Sequence, residues 1–306
     1  MHFTLIPLGT GAALPARGRS PAAQILNVNE SLYLIDCGEG TQERIRQAGL
    51  NFQRIGHIFI SHMHGDHFLG LMGLLSTMHL LGRQEELHVH GPRELREVIG
   101  LQQRVSESYW RFPLHHHDTR SETGVPVMED AKLTVTALAL KHRLPCTGFV
   151  FREKQGLRPL RAERVREIPQ FMRDRVKHGD DLTIEGKTIP NAALTHDPPP
   201  PRSYAYCSDT AYTPELVPFL NGVDLLYHEA TFTEALRARA KETMHSTARE
   251  AALIARDADV GRLMLGHFSS RYKDPGILLK EALEVFPRTV LSEEGVAYPI
   301  DQRSAV

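Results

Sequence analysis

The chain has 306 residues and 41% of them are hydrophobic, so it can bury a sizeable core and is not a disordered protein. Its formal net charge of −1 excludes the overall basic surface that many nucleic-acid-binding domains carry, so any contact with RNA or DNA has to be local. Three separate cysteines without a CxxC pair exclude a disulfide framework and a cysteine-based zinc site.

Hydrophobic patterning predicts strands and helices that alternate along the chain. In chain order they are the strands FTLIPLG, AAQILNV and SLYLIDCG, the helix TQERIRQAG, the strand HIFIS, the helix LGLMGLLSTMHLLG, the strand ELHVHGP, the helix PRELREVIGLQQRV, the strands AKLTVTALALKH and SYAYCSD, the helix TPELVPFL, the strand VDLLYHEA, the helices EALRARAKE and STAREAALIARDA, the strand RLMLGHF, the helix GILLKEALEVF and a terminal strand TVLSEEGVAYPI. This interleaving predicts the α/β class. We expect one domain spanning 1–306, and a cytoplasmic protein with no membrane segment, because neither a polar linker nor a long apolar run stands out.

The segment 152–177 is unusual because nine Lys or Arg accompany four Glu or Asp, a local excess of five positive charges. Its hydrophobic periodicity is weak. One interpretation is a solvated surface helix or loop, and the other is a basic arm that contacts the phosphate backbone of a nucleic acid. Residues 152–180 are therefore a candidate inserted arm.

The stretch SHMHGDH gathers metal-ligand residue types directly after a predicted strand. On extended backbone, His62 and His64 point to the same side. The glycine that follows permits a sharp change of direction, so Asp66 and His67 can point into the same pocket from the start of the next helix. Imidazole and carboxylate are the ligands expected for zinc or a similar divalent ion.

Such a cluster needs partners elsewhere in the chain. Four candidates follow strand-like apolar runs and a fifth lies just before a predicted helix: His142, Asp209, Glu229 and His267, and then His245. Taken singly, each has an ordinary explanation; Asp209, for example, could be a helix N-cap. Their joint placement predicts a site built from loops at strand ends.

Seven motifs carry a resemblance to a known family. They are LGTGAALP at 8–15, LIDCGEGTQ at 34–42, SHMHGDH at 61–67, YCSDTAY at 206–212, HEATF at 228–232, HSTA at 245–248 and GHFSSRY at 266–272. Together they resemble the ribonuclease Z family of the metallo-β-lactamase superfamily. The resemblance implies an αββα sandwich with a metal cleft along one edge. It also implies an endoribonuclease that removes the 3′ trailer from precursor transfer RNA and leaves a 3′-hydroxyl.

The resemblance also implies roles for the candidate residues. One metal ion would be held by His62, His64 and His142, the other by Asp66, His67 and His267, with Asp209 bridging the two. The cofactor would be two zinc ions, with manganese or iron possible. Asp66 would also orient the attacking water, and His245 with Glu229 would protonate the leaving group. Arg271 and Arg19 would contact substrate phosphate.

Three other features are interpreted more plainly. His228 would point away from Glu229 on a strand and is left out of the site. The run HHHD at 115–118 is interpreted as a surface strand, because no family ligand corresponds to it. The family's short bacterial form grips transfer RNA across a homodimer with a Gly-Pro-rich arm. Residues 152–180 lack the Gly-Pro motif, so the resemblance implies a homodimer with an altered RNA-binding arm.

Several alternatives remain open. The same metals could serve a phosphodiesterase that acts on a small molecule or on another nucleic acid. A lactone, thioester or lactam hydrolase is a different reaction class, but it has no need of the HEATF and HSTA pair as a leaving-group acid. A binding protein that has lost activity is opposed by the intact set of candidate ligands. Endonucleolytic and exonucleolytic trimming are not distinguished.

Overall fold

The computed structural model describes residues 2–302. These residues form two compact units. The larger combines the chain up to Arg152 with the chain from Arg202 onwards, and the smaller is Glu153–Pro201. The expectation of one domain over 1–306 with an arm at 152–180 stays a prediction. No helix in the described part of the chain is both long and apolar enough to cross a membrane.

The strands form two large sheets and one small hairpin. In chain order they are β1 (Phe3–Gly9), β2 (Ala23–Val28), β3 (Ser31–Cys37), β4 (Ile55–Phe59), β5 (Leu87–Gly91), β6 (Leu114–Asp118), β7 (Pro126–Glu129), β8 (Leu133–Leu140), β9 (Cys146–Glu153), β10 (Leu182–Ile184), β11 (Lys187–Ile189), β12 (Ser203–Cys207), β13 (Leu225–Glu229), β14 (Arg262–Gly266), β15 (Thr289–Leu291) and β16 (Tyr298–Pro299). The first sheet has the order β16-β1-β2-β3-β4-β5-β6 and the second β15-β14-β13-β12-β9-β8-β7.

Helices lie between the strands. In chain order they are α1 (Thr41–Gln47), α2 (Gly65–Phe68), α3 (Leu71–Leu80), α4 (Arg93–Ser106), α5 (Arg173–Lys177), α6 (Asn191–Leu194), α7 (Val217–Leu220), α8 (Arg237–Thr243), α9 (Ala248–Asp257) and α10 (Gly276–Leu283). The best-defined start is that of α9. There Thr247 and Glu250 form a reciprocal capping box that satisfies two of the first free backbone amides.

The layering follows from which side of each strand is apolar. Side chains such as Phe59 from the first sheet and Phe149 and Tyr227 from the second meet in a core between the sheets. The outer face of the first sheet packs against α1, α3 and α4. That of the second packs against α7, α9 and α10. The result is an αββα sandwich, and the predicted α/β class is confirmed.

The sequence missed β9, which lies between β8 and β12 in the second sheet. Its residues Cys146–Phe151 are buried on both faces, so the strand lacks the alternation by which half-buried strands are recognised. Gly148 sits where an added Cβ would lie 2.7 Å from the carbonyl oxygen of Tyr206, so the glycine allows β9 and β12 to approach. The predicted terminal strand is in fact two short strands, β15 and β16, with Gly295 at φ +80° between them.

The smaller unit has its own apolar cluster, formed by Ile168, Val176, Leu182 and Leu194. Much of its positive charge is used internally. Arg158 pairs with Asp197 at 2.8 Å, and Arg175 with Asp180 at 2.9 Å. The basic segment is therefore a folded unit with partly neutralised arginines.

Candidate metal centre

The carboxyl ends of neighbouring parallel strands bring three of the predicted side chains together. Strands β12, β13 and β14 are parallel neighbours, so their last residues lie at the same sheet edge. Asp209 follows β12, Glu229 ends β13, and His267 follows β14. All three are buried. His267 has φ +57°, a left-handed conformation that turns the chain sharply as the strand ends.

The other half of the centre comes from the turn between β4 and α2. His64 is the residue before α2 and has extended backbone, with φ −71° and ψ 142°. Asp66 and His67 then lie in the first turn of α2, as the sequence predicted. The carboxylate of Asp66 accepts a hydrogen bond of 2.8 Å from the backbone N–H of Ala13, which belongs to the GTGAALP motif. That motif therefore helps to position Asp66.

A first cluster of possible ligands contains His62, His64, His142 and Asp209. Nδ1 of His64 lies 2.9 Å from Nε2 of His62 and 3.2 Å from Nε2 of His142. Oδ2 of Asp209 lies 3.7 Å from Nε2 of His62 and 3.7 Å from Nε2 of His142. Ligand atoms at zinc–nitrogen distances of about 2.0–2.1 Å in a tetrahedron are about 3.3 Å apart, so this spacing suits a single divalent ion.

A second cluster contains Asp66, His67 and His267. Oδ2 of Asp66 lies 3.4 Å from Nε2 of His67 and 3.5 Å from Nε2 of His267. Oδ1 of Asp209 lies 3.5 Å and 3.1 Å from the same two nitrogens. The two oxygens of Asp209 thus face different clusters, so this carboxylate is placed to bridge two ions.

The Nδ1 atoms of His62, His67 and His142 each lie beside a hydrogen-bond acceptor. His67 Nδ1 donates to Oδ2 of Asp36 at 2.7 Å. The hydroxyl of Ser61 donates to the same carboxylate at 2.9 Å, so it accepts from His62 Nδ1, 3.0 Å away. His142 Nδ1 donates to the backbone carbonyl of Met244 at 3.0 Å. When the imidazole is neutral, this arrangement leaves the Nε2 atom, which faces the cluster, with a free lone pair.

The residues fit a pair of divalent ions. The buried Nε2 atoms of His67 and His267 and the Oδ1 atom of Asp209 have no hydrogen-bond partner among the described residues. Buried polar atoms are rarely left unsatisfied, and an uncompensated buried carboxylate is costly. Divalent cations would satisfy all three atoms at once. This donor set of imidazole and carboxylate suits zinc, manganese or iron.

A carboxylate and an imidazole form a second pair beside these clusters. Oε1 of Glu229 lies 2.8 Å from Nδ1 of His245. Glu229 is fully buried and also accepts from the backbone N–H groups of Thr210, at 2.9 Å, and Thr231, at 3.1 Å. Burial is the largest single effect and lowers the pKa of His245, but the charge and hydrogen bond of Glu229, together with the charge of Asp209, raise that pKa to about 9. His245 therefore carries a proton at neutral pH.

The centre opens into a cleft of about 420 Å³ that His64, Asp66, Asp209, His245 and His267 all line. Three cations also line it, namely Arg143, Arg239 and Arg271. The guanidinium of Arg271 lies over the ring of Phe232, 4.9 Å from its centroid. Of these three arginines, the sequence predicted only Arg271 as a substrate contact. Arg143 and Arg239 belong to none of the seven motifs.

The chain is clearly related to known proteins. A family model described as anti-Pycsar protein Apyc1 matches residues 3–109, and a β-lactamase superfamily domain model matches residues 171–268. A protein of Bacteroides fragilis named ribonuclease Z is 49% identical over 299 residues, covering 96% of this chain and 98% of its own length. A ribonuclease Z of Bacteroides thetaiotaomicron is 44% identical over 98% of this chain and 96% of its own.

This chain belongs to the ribonuclease Z family. The crystal structure of the short form of human tRNase Z is similar to this family member at 27% identity, with a TM-score of 0.71, covering 97% of this chain and 99% of that one. The metallo-β-lactamase fold protein YhfI from Bacillus subtilis has a TM-score of 0.67 at 17% identity, covering 97% of this chain and 98% of its own, which supports the fold alone. The predicted family is confirmed.

Two further residues discussed from the sequence of this ribonuclease Z family member, Arg19 and His228, lie outside the two ligand clusters. Arg19 donates to the backbone carbonyls of Tyr272 and Lys273, at 3.0 and 3.2 Å, and so supports the segment next to Arg271. His228 is buried and directs Nδ1 to the carbonyl of Glu229, 2.8 Å away, outside the ligand clusters.

Sequence reasoning missed the residues that orient the histidines. They are Asp36, Ser61, Thr231 and the carbonyl of Met244. The motifs LIDCGEGTQ, SHMHGDH and HEATF contain the first three of them, which was the available signal.

Proposed function

We propose that this chain is a binuclear metal-dependent endoribonuclease that removes the 3′ trailer of precursor transfer RNA and leaves a 3′-hydroxyl. The observation that carries the proposal is Asp209, whose two oxygens face two separate ligand clusters within one cleft. Membership of the ribonuclease Z family supports the choice of substrate. Two divalent ions bound there would supply a water of lowered pKa and positive charge beside the scissile phosphorus.

The ligand roles we propose follow the two clusters. His62, His64 and His142 hold one ion, His67, His267 and Asp66 hold the other, and Asp209 binds both. Zinc is the proposed ion, and the donor set also suits manganese or iron. Asp66 has a further role, because one carboxylate oxygen of a group fixed by the Ala13 amide can accept a hydrogen bond from the attacking water.

His245 is the proposed general acid. Hydrolysis breaks the bond between phosphorus and the ribose 3′ oxygen, which is a poor leaving group unless it gains a proton. His245 lines the cleft and, with Glu229 beside it, holds a proton at neutral pH. After that proton moves to the 3′ oxygen, the product is a transfer RNA with a free 3′-hydroxyl, and the phosphate stays on the trailer.

RNA is the proposed partner, and the cations around the cleft provide the electrostatic contact. Arg143, Arg239 and Arg271 line the cleft, and we propose that they contact phosphates of the bound RNA. We further propose that basic residues of 152–180 contact the transfer RNA. We also propose that the protein is a homodimer in the cytoplasm. Sedimentation of the purified protein measures its oligomeric state.

The test compares three substrates with one enzyme preparation. A 3′-labelled precursor transfer RNA should be cut once, at the end of the acceptor stem. Bis-p-nitrophenyl phosphate should be hydrolysed slowly, and nitrocefin should not react. Asp209→Ala should abolish both phosphodiester reactions, whereas Asp257→Ala, which removes an exposed carboxylate, should change neither. Hydrolysis of the small diester without cleavage of the precursor would contradict the RNA substrate. Turnover of nitrocefin alone would contradict the reaction class.

A further inference from the structure

A second group of histidines lies on the first sheet, away from the cleft. It runs across β4, β5 and β6, where His57 is aligned with His88 and His88 with His115. The rings of consecutive members are stacked, with centroids 4.8 Å apart in both pairs. The row ends at β6, which is the edge strand of the sheet, and there it meets the carboxylate of Glu86.

We propose that Glu86, His88 and His115 form a separate binding site for a divalent transition-metal ion such as Zn²⁺. One oxygen of Glu86 lies 3.2 Å from Nε2 of His115, and the other lies 3.6 Å from Nε2 of His88. The three ligand atoms all lie within 4.8 Å of one another. Ligands bound tetrahedrally at about 2.0–2.1 Å from zinc are about 3.3 Å apart, so only small side-chain movements are required.

The hydrogen bonding of His88 favours the form that binds metal. Nδ1 of His88 lies 3.0 Å from Nε2 of His117 on the neighbouring strand. When His88 donates this proton to His117, its own Nε2 has a free lone pair directed at Glu86. This is the arrangement of a ligand imidazole, whose second nitrogen donates to a fixed acceptor.

The competing explanation is an ion pair in which Glu86 accepts from two protonated imidazoles. That explanation places like charges on stacked rings whose centroids are 4.8 Å apart, so repulsion opposes it. One cation shared by three ligands avoids this repulsion. Two imidazoles and one carboxylate leave at least one position for water, which is typical of an open zinc site.

The bound ion would join the edge strand to its neighbour. His88 lies on β5 and His115 on β6, and Glu86 lies just before β5. Glu86 and His115 are both exposed, so the ion can exchange with solvent and is held more weakly than ions in the buried cleft. The site does not overlap the proposed catalytic residues.

The test is a zinc titration of enzyme already loaded with two equivalents of zinc, followed by isothermal calorimetry. The wild type should bind one further equivalent. His115→Asn and Glu86→Gln should each weaken that binding at least about tenfold. His116→Asn, on the same strand but on its opposite face, should bind like the wild type. Hydrolysis of bis-p-nitrophenyl phosphate by all four proteins should be equal, because the cleft is untouched.

Two results would overturn the site. One is the absence of a further binding event in the wild type up to about 100 µM free zinc. The other is a further event that His115→Asn and Glu86→Gln retain at full affinity. The diester assay separates the two proposals. Absence of the Glu86–His88–His115 site changes only the zinc titration, whereas failure of the proposed function appears as absent diester hydrolysis in the wild type.

Discussion

The hydroxyl of Thr231 lies 2.9 Å from Nδ1 of His267 and connects that imidazole to a buried carboxylate. The hydroxyl has one proton, which it donates to Oε2 of Glu229 at 2.6 Å. It therefore accepts from His267, and Nε2 of His267 is left free to bind a metal ion. Through this one hydroxyl, the pair that we propose protonates the leaving group is connected to a candidate ligand of the metal centre.

Thr231→Val keeps the shape of this side chain and removes the connection. His267 then loses its acceptor, so we expect metal affinity and diester hydrolysis to fall by about 10–100-fold. Elemental analysis and rate measurements at graded zinc concentrations check this. Thr188→Val changes an exposed threonine of β11 and should leave both quantities unchanged. Wild-type zinc affinity in Thr231→Val would contradict the role given to this hydroxyl.

Asp36→Asn tests the support of the other histidines. Asp36 has φ +56°, which asparagine also tolerates, so the backbone should be preserved. The carboxylate accepts at Oδ2 from the side chains of His67, Ser61 and Tyr206 and at Oδ1 from the backbone N–H of Ser61, whereas the amide has one acceptor oxygen and cannot serve both positions. We expect metal affinity about 10–100-fold lower, with the circular dichroism spectrum of the wild type. If zinc still binds as in the wild type, His67 does not depend on Asp36 for its orientation.

The pH dependence of the reaction should report His245. The donating form of His245 exists below its pKa of about 9 and is lost as pH rises through that value. In Glu229→Gln the charge that raises this pKa is gone and burial, which lowers it, prevails. The alkaline limb of kcat should therefore move to lower pH. A pH profile with an unmoved limb would remove His245 from the role of general acid.

His245→Ala removes the proposed acid without removing a ligand. We expect kcat on precursor transfer RNA to fall by about 10²–10⁴-fold while zinc content stays at the wild-type value. A substrate with a better leaving group, such as bis-p-nitrophenyl phosphate, should be affected less, because its nitrophenolate needs no proton. Loss of zinc in this variant would instead place His245 among the ligands.

Charge at the cleft should matter for RNA and little for a small diester. Replacing Arg143 or Arg239 by alanine should raise KM for precursor transfer RNA and reduce the salt dependence of binding by about 0.7–0.9 in logarithmic slope per lost phosphate contact. Arg104→Ala on α4 is the matched control. Equal effects on both substrates would show that these arginines are structural.

The RNA contact proposed for the smaller unit is best tested by substituting surface residues. Deleting 158–178 would instead remove Ile168 and Val176 from the apolar cluster of this unit. Arg166 and Lys177 have no side-chain hydrogen bond or ion pair within residues 2–302, so they are free to contact phosphates. The double variant Arg166→Glu, Lys177→Glu should weaken binding of precursor transfer RNA severalfold and leave bis-p-nitrophenyl phosphate hydrolysis unchanged. Unchanged RNA affinity would exclude these two residues from the interface.

The sequence predicted the parts of the site that depend on local pattern. His62, His64, Asp66 and His67 lie within one turn, and Asp209 and His267 follow apolar strands, so the positions of these ligands could be inferred from spacing and resemblance. The partners of their Nδ1 atoms could not be inferred. Thr231 reaches His267 across 36 residues and Asp36 reaches His67 across 31, contacts that only strand order and register determine.

The missed strand β9 and the missed cations have two other causes. β9 is a central strand buried on both faces, so its sequence lacks alternation. Arg143 and Arg239 belong to no motif and become meaningful only because the loops that carry them border one cleft. Patterns in sequence thus predicted most of the elements and the candidate ligands, whereas neighbours across the two sheets required the structure.

The central claim is that two ions held by Asp209 and its neighbours are required to cut precursor transfer RNA. The most direct measurement is the rate and position of cleavage as zinc is returned to chelator-treated enzyme. We expect no cleavage without zinc, and full activity at two equivalents with a single cut that leaves a 3′-hydroxyl. Undiminished cleavage at the same position by verified metal-free protein would contradict the account.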